Sequence, residues 1–341
     1  MSLPLDQFVQ LCHRIGRAVP AWNQGRGGNV SEKWADSDGK EWIRIKASGF
    51  RLSQITRDSG ISQIDLAATR NHLAALRQTS LDKVEAEYAS LLNRASREAH
   101  CPFQPSMETG FHVVLPRKYV IHFHSLAAIA LASRRAREPD FWETWLGTES
   151  GTVTLSRGAD VIPLKMSFLP AIRPGYLLTS PVGACRESDV IVLGNHGIIL
   201  HSETPAILEA WANFEQSFLT KIGCGGQVRK ALVPDASGLA EARKILTSLP
   251  LPFKMLYPDF AVFADRVRAV ICPAPNGPND LYTLANDAFS RDSDAAEMWL
   301  AHGLLCQIAP DLEPLPTDIA AVVGGLPTEA LRKDIARQRA D

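Results

Sequence analysis

Tyr119-Val120-Ile121-His122-Phe123-His124 is a short apolar run carrying two histidines one residue apart. Its β-branched and aromatic content predicts a strand, and because successive strand side chains point to opposite faces, His122 and His124 project from the same side. Two imidazoles on one face can chelate a single ion. A third nitrogen would complete a catalytic zinc site, in which three protein ligands leave one position for water or substrate. His196 is the candidate, within Val190-Ile191-Val192-Leu193-Gly194-Asn195-His196-Gly197-Ile198-Ile199-Leu200. Taken alone, a His-x-His pair is also compatible with ordinary core histidines. Asn-His-Gly argues for the metal: it interrupts an apolar run, and flanking glycines permit a tight turn that displays the ring.

Composition bounds the rest. The chain has 341 residues, 45% of them hydrophobic, and a formal net charge of -1, which describes a soluble globular protein and, at about 150 residues per domain, two domains. There is neither the basic surplus of a nucleic-acid binder nor an acidic tail. No run approaches about 18 consecutive apolar residues, and the first residues, Met1-Ser2-Leu3-Pro4-Leu5-Asp6, lack a charged region followed by an apolar core. Neither secretion nor membrane insertion is expected, which leaves the cytoplasm. Cys12, Cys101, Cys185, Cys224, Cys272 and Cys306 form no Cys-x-x-Cys pair and suit a reduced compartment.

Along the chain, Leu5, Phe8, Val9, Cys12 and Ile15 predict an opening amphipathic helix. The glycine-rich turn Gly25-Arg26-Gly27-Gly28-Asn29-Val30-Ser31 leads into a strand, and a second strand, Trp42 to Lys46, runs into Ala47-Ser48-Gly49. Both loops suit either plain hairpin turns or an anion cradle of backbone N–H groups. Ser62 to Arg97 is helical in composition, with Asp82, Glu85 and Glu87 expected on solvated faces. In Pro105-Ser106-Met107-Glu108-Thr109-Gly110-Phe111-His112, Ser106 is the expected N-cap of a helix that ends by Leu115, before Pro116. Glu108 is there either a dipole-complementing carboxylate or, because this helix feeds the histidine strand, part of a site. Ala127 to Ala136 predicts a helix, and Phe141, Trp142, Trp145 and Leu146 a core or subunit-contact cluster. Strands follow at Val153 to Leu155 and Val161 to Leu164. Thr204-Pro205 is expected to open a helix in which Glu215 is capping, solvated or a partner to the site. Glycines at 223, 225 and 226 suggest a boundary. Beyond it, Ala240 to Leu246, Ala295 to Cys306 and Pro327 to Arg339 predict helices, Phe260 to Phe263 and Val267 to Cys272 strands, and Pro273 to Pro278 a turn.

Five motifs in order, Gly-Gly-Asn-Val-Ser at 27–31, Lys-Ala-Ser-Gly at 46–49, Ser-Met-Glu at 106–108 with His112, His-Phe-His at 122–124 and Asn-His-Gly at 195–197, resemble those of the class II aldolase/adducin family. The likeness extends over residues 5 to 222. It is strongest to longer bacterial members, including the aldolase halves of rhamnulose-phosphate aldolase/alcohol dehydrogenase fusions. Ile162-Pro163-Leu164 through Arg173-Pro174-Gly175-Tyr176 and the later Tyr257-Pro258-Asp259 are similar to stretches of those proteins. The tail lacks a cofactor fingerprint and is too short for their dehydrogenase domain.

The resemblance implies a three-layer α/β/α fold with a mostly antiparallel central sheet. It implies a zinc domain over residues 1–222 and a small α/β extension, 223–341, that acts as a lid or subunit contact. It implies zinc, or another divalent transition metal, on His122, His124 and His196, with Glu108 as base. Gly28, Asn29, Ser48, Gly49 and Ser106 would bind the phosphate of a ketose phosphate. Met107 stands where shorter members often carry a second serine, so Arg26 or Lys46 compensates or the substrate lacks phosphate. A tyrosine of a neighbouring subunit in a homotetramer often donates the proton, and Tyr119 and Tyr176 are the candidates. The implied activity is a zinc-dependent lyase making or breaking a C–C bond of a sugar through an enediolate held by the cation. The rivals are a decarboxylase, dehydratase or epimerase on the same scaffold, a non-catalytic adducin-like module and, ranked last, a His-x-His metallohydrolase.

Overall fold

A computed structural model describes residues 5–18, 22–137, 152–157, 160–222, 254–273, 282–327 and 329. Eight strands form one mixed sheet: β1 (Asn29–Ala35), β2 (Glu41–Lys46), β3 (Ile61–Asp65), β4 (Tyr119–Phe123), β5 (Thr152–Arg157), β6 (Asp160–Leu169), β7 (Val190–Leu193) and β8 (Gly197–Ser202). Their order is β3-β2-β1-β4-β8-β7-β6-β5, and every pair is antiparallel except β6 with β7. The histidine strand β4 is therefore central, flanked by β1 and β8, and fully buried.

Alternation along these strands serves two apolar faces. Tyr119, Ile121 and Phe123 point with Val30, Val190, Val192, Ile198 and Leu200 into the main core. That core also holds Phe8 and Ile15 of α1 (Leu5–Gly16), the alanine-rich α5 (Leu126–Arg137) and Trp211 and Phe218 of α7 (Ile207–Lys221). On the opposite face Val120, Ile191 and Ile199 meet α4 (Thr109–Val114) and α6 (Tyr176–Ala184). Ile43 and Ile64 on that face meet α2 (Leu66–Ala75) and α3 (Val84–Glu98).

The described residues beyond 222 join the main core. Phe260 of α8 (Pro258–Val262), Val267 of α9 (Ala264–Val270), Ala288 of α10 (Ala288–Arg291), Trp299 of α11 (Ser293–Ile308) and Val323 of α12 (Thr317–Val323) all belong to it. A two-stranded ribbon, β9 (Ile271–Pro273) with β10 (Tyr282–Leu284), lies between α9 and α10.

Several expectations are corrected. Phe260 to Val262 and Val267 to Val270 are helical, not strands, with Phe263 in the turn between the two helices; short apolar runs do not distinguish helix from strand, and Pro258 at the first turn starts the helix. Ser62 to Arg97 opens with β3, and the Asp65 carboxylate caps α2 by accepting from the Ala68 N–H at 2.8 Å. Glu85 is buried rather than solvated, accepting from the Tyr176 and Leu177 N–H groups at 3.1 and 3.4 Å at the start of α6. The helix after Thr204-Pro205 starts at Ile207, with a turn before it in which the Pro205 carbonyl accepts from the Leu208 N–H. The segment after Ser106 becomes helical only at Thr109. The aromatic cluster at 141–146, the helices at 240–246 and 327–339, the boundary glycines and the turn at 273–278 lie outside the described residues, apart from Pro273, Pro327 and Glu329. No described helix is long and apolar enough to cross a membrane.

Glu215 of α7 is buried beneath the histidine strand, where its carboxyl accepts hydrogen bonds from Trp22 Nε1 and Ser125 Oγ. Burial pushes its pKa up to about 7, against the opposing pull of those donors. A folded-state value above the unfolded one means that its stabilising effect is complete below the unfolded pKa and is lost as pH rises through about 7. Glu215→Gln is expected to gain on wild type by roughly 3 kcal/mol between pH 4.5 and pH 8, read from urea unfolding at both pH values; an offset that does not change with pH would overturn the assignment.

Candidate metal centre and its cleft

Register brings the centre together. In the antiparallel pairs around β4, His122 lies opposite Asn29 of β1 and Ile199 of β8, and His124 follows directly after the strand ends. His196 sits in the β7–β8 turn, where Asn195 adopts a left-handed conformation at φ 56°, a region in which asparagine is enriched. The Asn195 amide donates to the carbonyls of Leu256 and Glu313 at 3.1 and 2.8 Å. The turn that carries the third histidine is thus fastened to the C-terminal part of the chain.

The three rings converge, with centroids 4.9 Å (His122–His124), 4.9 Å (His122–His196) and 5.1 Å (His124–His196) apart. Glu108 completes the group, and one ligand atom from each residue lies within 4.8 Å of the others. His122 Nε2 is 3.0 Å from His124 Nε2 and 3.3 Å from Glu108 Oε2, and His196 Nε2 is 3.2 Å from Glu108 Oε1. Bonds of about 2.0–2.1 Å to one tetrahedral ion imply ligand separations of about 3.3 Å. These three separations fit, and the remaining ligand atoms stay within 4.8 Å. The other ring nitrogen of His122 faces the Ile198 carbonyl at 2.9 Å, which orients Nε2 towards the centre.

Electrostatics suit the same use. Burial pushes the His196 pKa down to about 4, with Glu108 partly opposing, so the ring is neutral, as a ligand must be. Burial alone would raise the Glu108 pKa, but the His122 and His196 imidazoles outweigh it and hold the carboxyl well below its usual range. Asn29 Nδ2 donates to Glu108 Oε2 at 2.8 Å and to Ser106 Oγ at 3.1 Å, and Ser106 Oγ also accepts from the Glu108 N–H at 3.3 Å. His112 holds Asn29 in turn: its Nε2 contacts Asn29 Oδ1 and its Nδ1 lies 2.7 Å from Ser31 Oγ.

Gly28, Asn29, Ser48, Gly49 and Ser106, the expected anion cradle, line one cleft with Glu108, His124 and His196. Met107 lines it too. Arg26 and Lys46 reach it but are committed to the loops. Arg26 pairs with Asp294 at 3.0 Å and donates to the Gly49 carbonyl at 2.8 Å, while Lys46 Nζ donates to the carbonyls of Phe50 at 2.8 Å and Arg26 at 3.1 Å. Tyr119 and Tyr176 are not brought to the cleft of their own chain: the Tyr119 hydroxyl is 3.4 Å from Glu32 and that of Tyr176 donates to the Leu73 carbonyl at 3.3 Å. Asp259, Pro258 and Glu329 line the cleft from the C-terminal part. No local spacing relates them to the histidines; only the Tyr-Pro-Asp likeness drew attention to that stretch.

The model of the class II aldolase and adducin N-terminal domain matches residues 6–217. The chain belongs to this family. Among solved structures, the chain is similar to the N-terminal class II aldolase domain of a conserved protein from Thermoplasma acidophilum (25% identity, TM-score 0.49, covering 65% of this chain and 95% of that one). It is also similar to the L-fuculose-1-phosphate aldolase of Thermus thermophilus (15%, TM-score 0.38, 64% and 92%) and to L-fuculose 1-phosphate aldolase from Glaciozyma antarctica (11%, TM-score 0.31, 92% and 96%). No curated protein matches the chain. The family match ends before Asp259, so the cleft combines the family domain with residues outside it. His124→Ala is expected to weaken zinc binding by more than about 100-fold, beyond the range for partners that only orient a ligand; chelator competition measures it, and an unchanged affinity removes His124 from the ligand set.

Proposed function

We propose that the protein is a zinc-dependent aldolase-type lyase acting on a hydroxy-ketone of the sugar class, with His122, His124 and His196 holding the metal and Glu108 moving the proton. What carries the reading is a buried cluster of three imidazoles and one carboxylate whose ligand atoms lie within 4.8 Å of one another, three of the pairs at 3.0–3.3 Å. A divalent ion held by neutral imidazoles keeps its charge uncancelled and supplies a Lewis acid at the substrate's carbonyl oxygen.

The chain's own part begins with Glu108. At rest it is held ionised between His122 and His196; displaced from them by substrate, it keeps the burial that raises a carboxylate's proton affinity. In the synthetic direction Glu108 takes a proton from the carbon beside the carbonyl, and the electron pair moves onto the carbonyl oxygen. That carbon then attacks an aldehyde, whose oxygen takes a proton from a donor. Cleavage runs the same steps backwards and returns the proton from Glu108 to carbon. Asn29 and Ser106, bonded to Glu108 and to each other, keep the carboxylate on one side of the cleft. Gly28, Ser48 and Gly49 are assigned to the far end of the substrate.

The finer assignments belong to the same reading: helices on both sheet faces as the outer layers of a three-layer α/β/α body, a homotetramer, a cytoplasmic enzyme, and a C-terminal extension that closes the cleft or contacts a neighbouring subunit. Glu108→Gln is expected to keep zinc yet lower turnover about 10²–10⁴-fold, the usual contribution of a positioned acid–base group. Metal content and triose release from a panel of ketoses and ketose phosphates measure both; wild-type turnover in this variant would exclude Glu108 as the base.

A further inference from the structure

Each of the three histidines has a different neighbour at its outward nitrogen. His122 Nδ1 faces a backbone carbonyl, whereas neither His196 Nδ1 nor His124 Nδ1 makes an aligned hydrogen bond among the described residues. His124 Nδ1 alone meets a carboxylate, Asp259 Oδ2, at 2.6 Å, with both side chains buried. We propose that Asp259 is a positioning residue that keeps His124 protonated on Nδ1 and turned so that Nε2 faces the centre, and that it thereby sets metal affinity from outside the family domain. The inference rests on the metal-site reading above.

Two features show that the pair is built into the fold. Gly27 packs directly on it: a Cβ there would come 2.5 Å from Asp259 Oδ2 and 2.8 Å from His124 Nδ1. Any side chain at this position would displace one partner or the other. Asp259 is also fixed from behind. Pro258 occupies the first turn of α8, the Phe263 N–H donates to the Asp259 carbonyl at 3.1 Å, and the neighbouring Tyr257 hydroxyl donates to the Met298 carbonyl of α11 at 2.8 Å. The carboxylate is thus held by a segment packed in the main core. A carboxylate on the outer nitrogen raises the basicity of a ligating imidazole and fixes its tautomer, and loss of such a partner costs about 10–100-fold in metal affinity.

The test is zinc affinity of the full chain by chelator competition, with Co2+ absorption reporting ligand geometry. Asp259→Ala is expected to weaken zinc binding about 10–100-fold and to alter the Co2+ spectrum. Asp259→Asn, which keeps the shape and one acceptor but not the charge, is expected to weaken binding by no more than Asp259→Ala does. Asp65→Ala, which removes the cap of α2 far from the centre, is expected to leave affinity unchanged. The proposal is overturned if both Asp259 variants bind zinc as wild type does, or if Asp65→Ala weakens binding equally, because a general loss of stability then explains the effect. If wild type itself binds no zinc, the metal centre fails and this inference with it; unchanged Asp259 variants of a zinc-binding protein sink the inference alone.

Discussion

A carboxylate and three imidazoles packed within 4.8 Å of one another cannot be buried without compensation, because an ionised group taken out of water is costly unless it is paired. Much of the surrounding structure supplies that pairing. Asn29 donates to Glu108, His112 orients Asn29, and Ser31 meets the far side of His112. These residues lie on β1 and α4, and the antiparallel register that sets Asn29 opposite His122 is what lets one chain of hydrogen bonds reach the centre. The glycine-rich loop before β1 belongs to the same logic, since Gly27 leaves room for Asp259 and His124.

The C-terminal part of the chain is integral to this arrangement. It fastens the Asn195 turn through two carbonyls and sets Asp259 against His124. The N-terminal part of α11 clasps the cradle loops: Asp294 pairs with Arg26 and Arg51, and Glu297 pairs with Arg51 at 2.8 Å and accepts from the Gly25 N–H at 2.7 Å. Buried pairs of this kind contribute little net stability, but removing one partner strands the other. Their effect is to fix where the loops lie. The two basic residues that line the cleft, Arg26 and Lys46, are therefore part of the scaffold that fixes these loops.

Motif order identified the family and the four residues of the cluster because these features are local. A histidine pair at strand spacing, a histidine in a glycine-flanked turn and a glutamate entering a helix each carry their signal within a few residues. The strand assignment of Phe260 to Phe263 failed for the complementary reason. Four apolar residues do not reveal a period, and there the helix is selected by Pro258 and by packing against α11. Glu85 and Glu215 misled because nothing local marks the N–H groups and the indole that receive them; both carboxylates are buried by elements distant in sequence.

The amino-acid sequence by itself determined the class of chemistry on offer: imidazoles on one strand face, an anion-compatible pair of glycine loops and a carboxylate feeding the histidine strand. Only the tertiary structure decided that these share one centre, that the loop cations are already occupied, and that Asp259 stands behind His124. Strand and helix periodicity act over a few residues, whereas register across β1, β4 and β8 and the docking of α8 and α11 onto the sheet arise from contacts between segments that the linear chain keeps far apart.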